Sequence, residues 1–180
     1  MNKATTSVQR LCRSALLLAV LITVQYVTKP FGQLITGSCV NTVLALSAIM
    51  FGAWVAVPVA IISPFIAFLL GIGPAILLLA PLIAVGNLCY VLLCSYLIGK
   101  LSKSLIYKEL CIAAASVVKF GVLYLGAVKL VIPLLANMGI KNPALSVMFS
   151  WPQLVTALIG GTLAVVISSL IGKANKKDDL

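Results

Sequence analysis

The stretch Cys111–Leu135, CIAAASVVKFGVLYLGAVKLVIPLL, restricts the fold more than any other part of the chain. It is long and apolar enough to cross a bilayer as one helix, yet it carries Lys119 and Lys129. Counted from Lys108 at ~1.5 Å per residue, Lys119 lies about 16 Å along, near the middle of a ~30 Å hydrocarbon core. Lys129 falls roughly 31 Å along, near the far interface. An ammonium at mid-membrane costs at least about 3 kcal/mol, so it normally faces a polar cavity or a partner. The acids of the chain are Glu109, Asp178 and Asp179, all at helix ends or in the tail, and none can pair with it inside a span. Lys119 is therefore predicted to face a cavity that receives an anionic ligand.

Composition supports the membrane reading. The residues are 62% hydrophobic and 9% charged, with a mean hydropathy of +1.21. A soluble domain of this size would expose a largely apolar surface, so the chain is predicted to be an all-α integral membrane protein. The net charge of +10 would suggest nucleic acid in a soluble protein, but its distribution argues otherwise. Most of the cations fall in three clusters: Lys3, Arg10 and Arg13; Lys100, Lys103 and Lys108; Lys173, Lys176 and Lys177. Separated by apolar stretches, these fit cytoplasmic ends under the positive-inside rule, with no nucleic-acid partner expected. Lys29 and Lys141 fall in the outside loops. The cysteines Cys12, Cys39, Cys89, Cys94 and Cys111 show no CxxC spacing and no neighbouring histidine, so they read as small buried hydrophobes. Leu11–Val27 resembles a signal-peptide core, but no small-residue cleavage site follows, and it is retained as the first span.

Taken in order, the chain predicts one membrane domain over residues 1–180, a six-transmembrane-helix bundle with spans near 8–27, 40–51, 54–70, 75–98, 109–135 and 151–171. Lys29-Pro30-Phe31-Gly32 ends the first span and opens an outside loop to about Ser38. Spans 2 and 3 are hinged at Phe51-Gly52, and Pro58 and Pro64 interrupt the latter. Pro74 is placed to start span 4 and Pro81 to kink it. Pro133 and 137–143 form an outside connection. Ser150-Trp151-Pro152-Gln153 resembles a capping box opening span 6. An even count with basic ends puts both termini inside.

The residue inventory excludes much chemistry. With no histidine and no carboxylate placed in a span, general acid–base catalysis, metal binding and a proton relay all lack their usual groups. No catalytic residue, metal ligand or cofactor is expected. The chain also lacks the GxxxxGK[ST] phosphate loop, so uphill transport would draw its energy from another subunit.

Small residues at four-residue spacing mark two ridges where helices can approach closely: Ala15 and Ala19, extended by Thr23, and Gly160, Ala164, Ser168 and Gly172. Spacing alone does not choose between packing inside the bundle and contact with a partner. The polar residues that can share Lys119's cavity have similar alternatives. Asn87 can bond a neighbouring helix, Gln153 can complete a helix cap, Trp151 can anchor at an interface, and Lys129 can snorkel to headgroups. The positive N-terminal end of span 6 would favour an anion in the same vestibule.

The chain resembles the substrate-binding S component of energy-coupling factor transporters. The resemblance rests on six short spans with basic ends and on Ala15 and Ala19 in span 1. It rests also on the run Thr36-Gly37-Ser38-Cys39-Val40-Asn41 through Phe51-Gly52, Ile62-Ser63-Pro64, Gly73-Pro74 and Gly86-Asn87. It implies a vitamin-uptake subunit of the bacterial cytoplasmic membrane that works with a membrane-embedded coupling subunit, met at Ala15 and Ala19, and two cytoplasmic ATPases. It also implies a pocket near the outer face containing Asn87, Lys119, Trp151 and Gln153, to which it adds Asn41. The lysines favour a small anionic metabolite. The alternative is a non-transporting membrane scaffold, with an ordinary packing role for Lys119.

Overall fold

A computed structural model of the chain describes residues 3–101 and 104–178. Lys103 and Asp179 therefore lie outside the described residues, as do the side chains of Lys3, Lys100, Lys173, Lys176, Lys177 and Asp178. The described residues form α1 (Lys3–Thr28), α2 (Gln33–Phe51), α3 (Ala53–Leu69), α4 (Leu79–Leu101), α5 (Leu105–Leu123), α6 (Ile132–Asn137), α7 (Pro143–Met148) and α8 (Trp151–Asp178). A π-helical stretch, Tyr124–Val131, joins α5 to α6 in one continuous rod.

Among the described residues, five segments are long and apolar enough to cross a membrane: Thr6–Phe31, Gln33–Phe51, Leu79–Ile98, Leu105–Asn137 and Pro143–Gly172. The sixth member of the bundle, α3, has 17 residues. At ~1.5 Å per residue it reaches about 25 Å, short of a ~30 Å core. Its place beside α1, α2 and α4 is what buries Val55, Ala56, Val59 and Ala60.

Local chemistry explains where the helices turn. Gly52 sits at φ 78°, a conformation that glycine adopts without a Cβ penalty, and it separates α2 from α3. The guanidinium of Arg13 lies 5.2 Å from the Phe51 ring centroid and that of Arg10 lies 5.9 Å from the Trp54 ring. The Ser14 hydroxyl donates to the Val55 carbonyl at 3.0 Å. The first turns of α1 thus hold the hinge from the side.

Three local expectations are corrected. The loop read as running to Ser38 is helix from Gln33 onward. Neither proline of span 4 acts as expected: α4 starts at Leu79, so Pro74 lies in the turn before it and Pro81 in its first turn, where a missing N–H is no loss and no kink results. The Ser150–Gln153 capping box does not form. Ser150 Oγ donates to the Val147 carbonyl at 2.7 Å, and Gln153 Nε2 donates to the Met148 carbonyl at 3.1 Å.

The core has two parts. One, around Leu21, Leu44, Val59, Tyr90, Ile112 and Val165, joins α1–α5 to α8. The other, around Leu79, Leu123, Ala127, Leu135, Leu145 and Phe149, packs the π stretch, α6 and α7 over the start of α4. The candidate site opens between them.

Candidate functional site

The site begins with two glycines. A methyl group added at Gly160 would come within 2.6 Å of the Ser38 carbonyl oxygen and 2.8 Å of the Thr42 backbone nitrogen, both fixed backbone atoms. One added at Gly161 would strike Ile112 and the Tyr90 hydroxyl. Without side chains at these positions, α8 settles directly against α2 and α5, and the Tyr90 hydroxyl of α4 reaches its backbone. Gly160 and the buried Ala164 are therefore occupied inside the bundle, while Gly172 at the far end of the same ridge meets nothing within 4 Å.

That approach closes a polar layer. Lys119 is 3% exposed, and its Nζ donates to Asn41 Oδ1 on α2 at 2.5 Å and to Asn87 Oδ1 on α4 at 2.7 Å. It lies 5.2 Å from the Tyr90 ring centroid. Tyr90 is fixed in turn by donating its hydroxyl to the Ala157 carbonyl at 2.9 Å. Asn41 Nδ2 donates to Thr156 Oγ1 at 3.3 Å, and Thr156 Oγ1 donates to the Gln153 carbonyl at 3.2 Å. Four helices thus contribute to one network.

The helix register explains the meeting. Asn87 and Lys119 each lie fourteen residues from the turn between α4 and α5, counted to Leu101 and from Leu105. At ~1.5 Å per residue both stand about 21 Å above it. Hydrogen bonds to a charged donor contribute roughly 1.5–3 kcal/mol each, and the ring face adds about 0.5–2 kcal/mol. These groups orient the ammonium but neutralise none of its charge. Both asparagine oxygens and the ring are formally neutral, so the positive charge remains for something else to meet.

Above this layer is a cavity of about 310 Å³, at the small end of the ~300–1,000 Å³ usual for small-molecule sites. Its floor includes Asn41, Asn87 and Lys119. Its walls include Pro64, Phe68, Ile76, Ile83 and Phe149. Gln153 lines it from α8, and Lys29 stands at its mouth beside Gly71.

Of the residues singled out in the sequence, the structure brings Asn41, Asn87, Lys119 and Gln153 to this one cavity. It places Trp151 and Lys129 elsewhere: Trp151 is 58% exposed, and the Lys129 ammonium lies 5.8 Å from the Tyr124 ring centroid on the π stretch. Ala15 and Ala19 lie exposed on the outer face of α1.

Sequence reasoning missed Lys29, Gln33, Thr36 and Ser63, which also line the cavity. A signal was present. Gln33, Thr36, Gly37, Val40 and Asn41 fall at helical spacing, one face of α2, but treating the first three as loop concealed it.

The bundle and its cavity define a multi-pass membrane protein with a polar-floored cavity of small-molecule size. A family model described as the substrate-specific component of ECF transporters matches residues 9–172. The chain belongs to that family. No curated protein and no solved structure matched it. The family assignment replaces the scaffold reading of the sequence, and it describes a component that recognises substrate rather than one that catalyses a reaction.

Proposed function

We propose that this S component captures a small anionic metabolite, a vitamin or a related compound, from outside the bacterial cytoplasmic membrane. It then delivers that metabolite through an energising module of a membrane-embedded coupling subunit and two cytoplasmic ATPases. Both termini face the cytoplasm in this reading. The observation that carries it is the buried Lys119 ammonium at the cavity floor, held only by neutral groups. A buried charge without a counter-charge is costly, and an incoming anion removes that cost. Lys29 at the mouth adds attraction for an anion on its way in. Asn41, Asn87 and Gln153 are assigned to position the substrate and its lysine. Trp151 and Lys129 are assigned to the membrane interface instead.

Ala15 and Ala19 form the proposed contact with the coupling subunit. They leave a shallow strip on α1 between the exposed Leu11, Leu16 and Val20, suited to a second helix. Replacing both with leucine is expected to abolish co-purification with the coupling subunit and leave substrate binding intact. Undiminished co-purification would remove the assignment.

Native mass spectrometry tests the substrate reading. The protein, purified in mild detergent from cells grown in rich medium, is expected to carry one anionic metabolite. Lys119→Met should lose it while remaining folded and monodisperse. A retained molecule that is neutral or cationic, or that survives Lys119→Met, would contradict the proposal.

A further inference from the structure

We propose that Ser63 is a second anchor for the substrate's anionic group, and that this group is a carboxylate rather than a phosphate. The inference rests on the reading of Lys119 as the substrate's counter-ion.

Ser63 is 2% exposed, lines the cavity, and its Oγ has no hydrogen-bond partner. A buried hydroxyl left in that state carries the desolvation cost of a hydrogen bond it does not make. Helical hydroxyls elsewhere in the chain avoid that cost by donating to a carbonyl three or four residues back, as Thr28, Ser38, Thr42, Ser47 and Ser169 do. Ser63 has an obvious acceptor of this kind. Pro64 carries no N–H, so the Ala60 carbonyl lacks its helical donor and sits three residues behind the hydroxyl. The hydroxyl does not use it. One other described buried hydroxyl lacks a partner, that of Ser116, which is beside the Tyr90 hydroxyl and does not line the cavity.

The depth of Ser63 fits the role. Asn41 and Ser63 each lie eleven residues from the Gly52 hinge, on adjoining antiparallel helices. Both therefore stand about 16 Å from it, in one layer. Lys119 is tied to Asn41, so its ammonium and the Ser63 hydroxyl belong to the same floor. An ammonium has three donors, of which the two asparagines take two. A planar carboxylate supplies one oxygen to the third donor and its other oxygen to the Ser63 hydroxyl.

Counting charge selects carboxylate over phosphate. Among the described residues lining the cavity, Lys29 and Lys119 are the charged ones. Lys29 precedes α2, whereas Asn41 lies eight residues into it from Gln33, which separates the mouth from the floor by about 12 Å. The floor thus offers one positive charge. A carboxylate balances it. A phosphate monoester, at about −1.5 to −2, would leave net negative charge in a low-dielectric cavity.

The test uses Ser63→Cys, a one-atom exchange, in the full-length protein. It is labelled with anionic sulfonatoethyl or cationic trimethylammonioethyl methanethiosulfonate, and modification of the peptide that carries the introduced thiol is followed by mass spectrometry. The anionic reagent should react about tenfold faster, and the preference should disappear with Lys119→Met. Benzoate should slow the labelling, and phenyl phosphate at the same concentration should not. Ser63→Ala, the second variant, should hold the metabolite that co-purifies with the native protein about tenfold less tightly. An introduced thiol closed to both reagents, equal rates for the two, equal protection by both anions, or no protection by either would overturn the inference. If Lys119→Met keeps its metabolite, the underlying reading falls whatever the introduced thiol does. If Lys119→Met loses it while that thiol stays closed, only the Ser63 anchor falls.

Discussion

Lys119 and Lys129 lie ten residues apart on one continuous rod, and the structure treats them in opposite ways. Around Lys119 the helix is regular, and three neighbouring helices close over it, so the ammonium is buried among fixed oxygens. Around Lys129 the backbone widens into π geometry, and the side chain is exposed beside Tyr124. Pro133 follows directly; its ring would collide with the carbonyl four residues back, that of Lys129, and the wider turns relieve the clash. Charge and hydrophobic context are nearly equal at the two positions. What separates them is whether a neighbouring helix presents an acceptor at that depth.

Substitutions test that contrast. The largest effect is expected from Lys119→Met, which should weaken binding of the retained metabolite at least about a hundredfold, measured by the fraction still bound in native spectra. Next comes Gly160→Leu. Its side chain must push α8 away from the Ser38 and Thr42 backbone, a strain of about 1–3 kcal/mol that should lower the melting temperature by about 5 °C. Asn87→Ala removes one of the two acceptors that aim the ammonium, and should weaken binding about tenfold with little change in melting temperature. Lys129→Met should alter affinity less than about twofold. A large effect there, measured in the same way, would show that the two lysines share one role.

Much of this was legible in the sequence. The apolar runs marked the bundle, and the depth of Lys119 followed from helical rise alone. What escaped notice depended on relations between helices. Asn41 came from the resemblance and not from its own setting, because its bonds to Lys119 and Thr156 arise only when Gly160 lets α8 clamp α2 beside it. Ser63 was read through its proline neighbour, as part of an interrupted helix, and its empty hydrogen-bonding capacity is a property of the assembled cavity. The polar residues Gln33 and Thr36 resembled a loop because a cavity-lining helix face is polar where a lipid-facing one is not. The small-residue ridges were ambiguous for the same reason. The structure uses Gly160 and Ala164 internally and leaves Ala15 and Ala19 exposed on α1.

In this reading the buried cation, and not the exposed one, holds the substrate. Its most direct test is a paired measurement of retained metabolite in Lys119→Met and Lys129→Met, purified side by side with the native protein and weighed intact from mild detergent. One anionic molecule is expected on the native protein and on Lys129→Met, and none on a folded Lys119→Met. Equal occupancy of the two variants would contradict it.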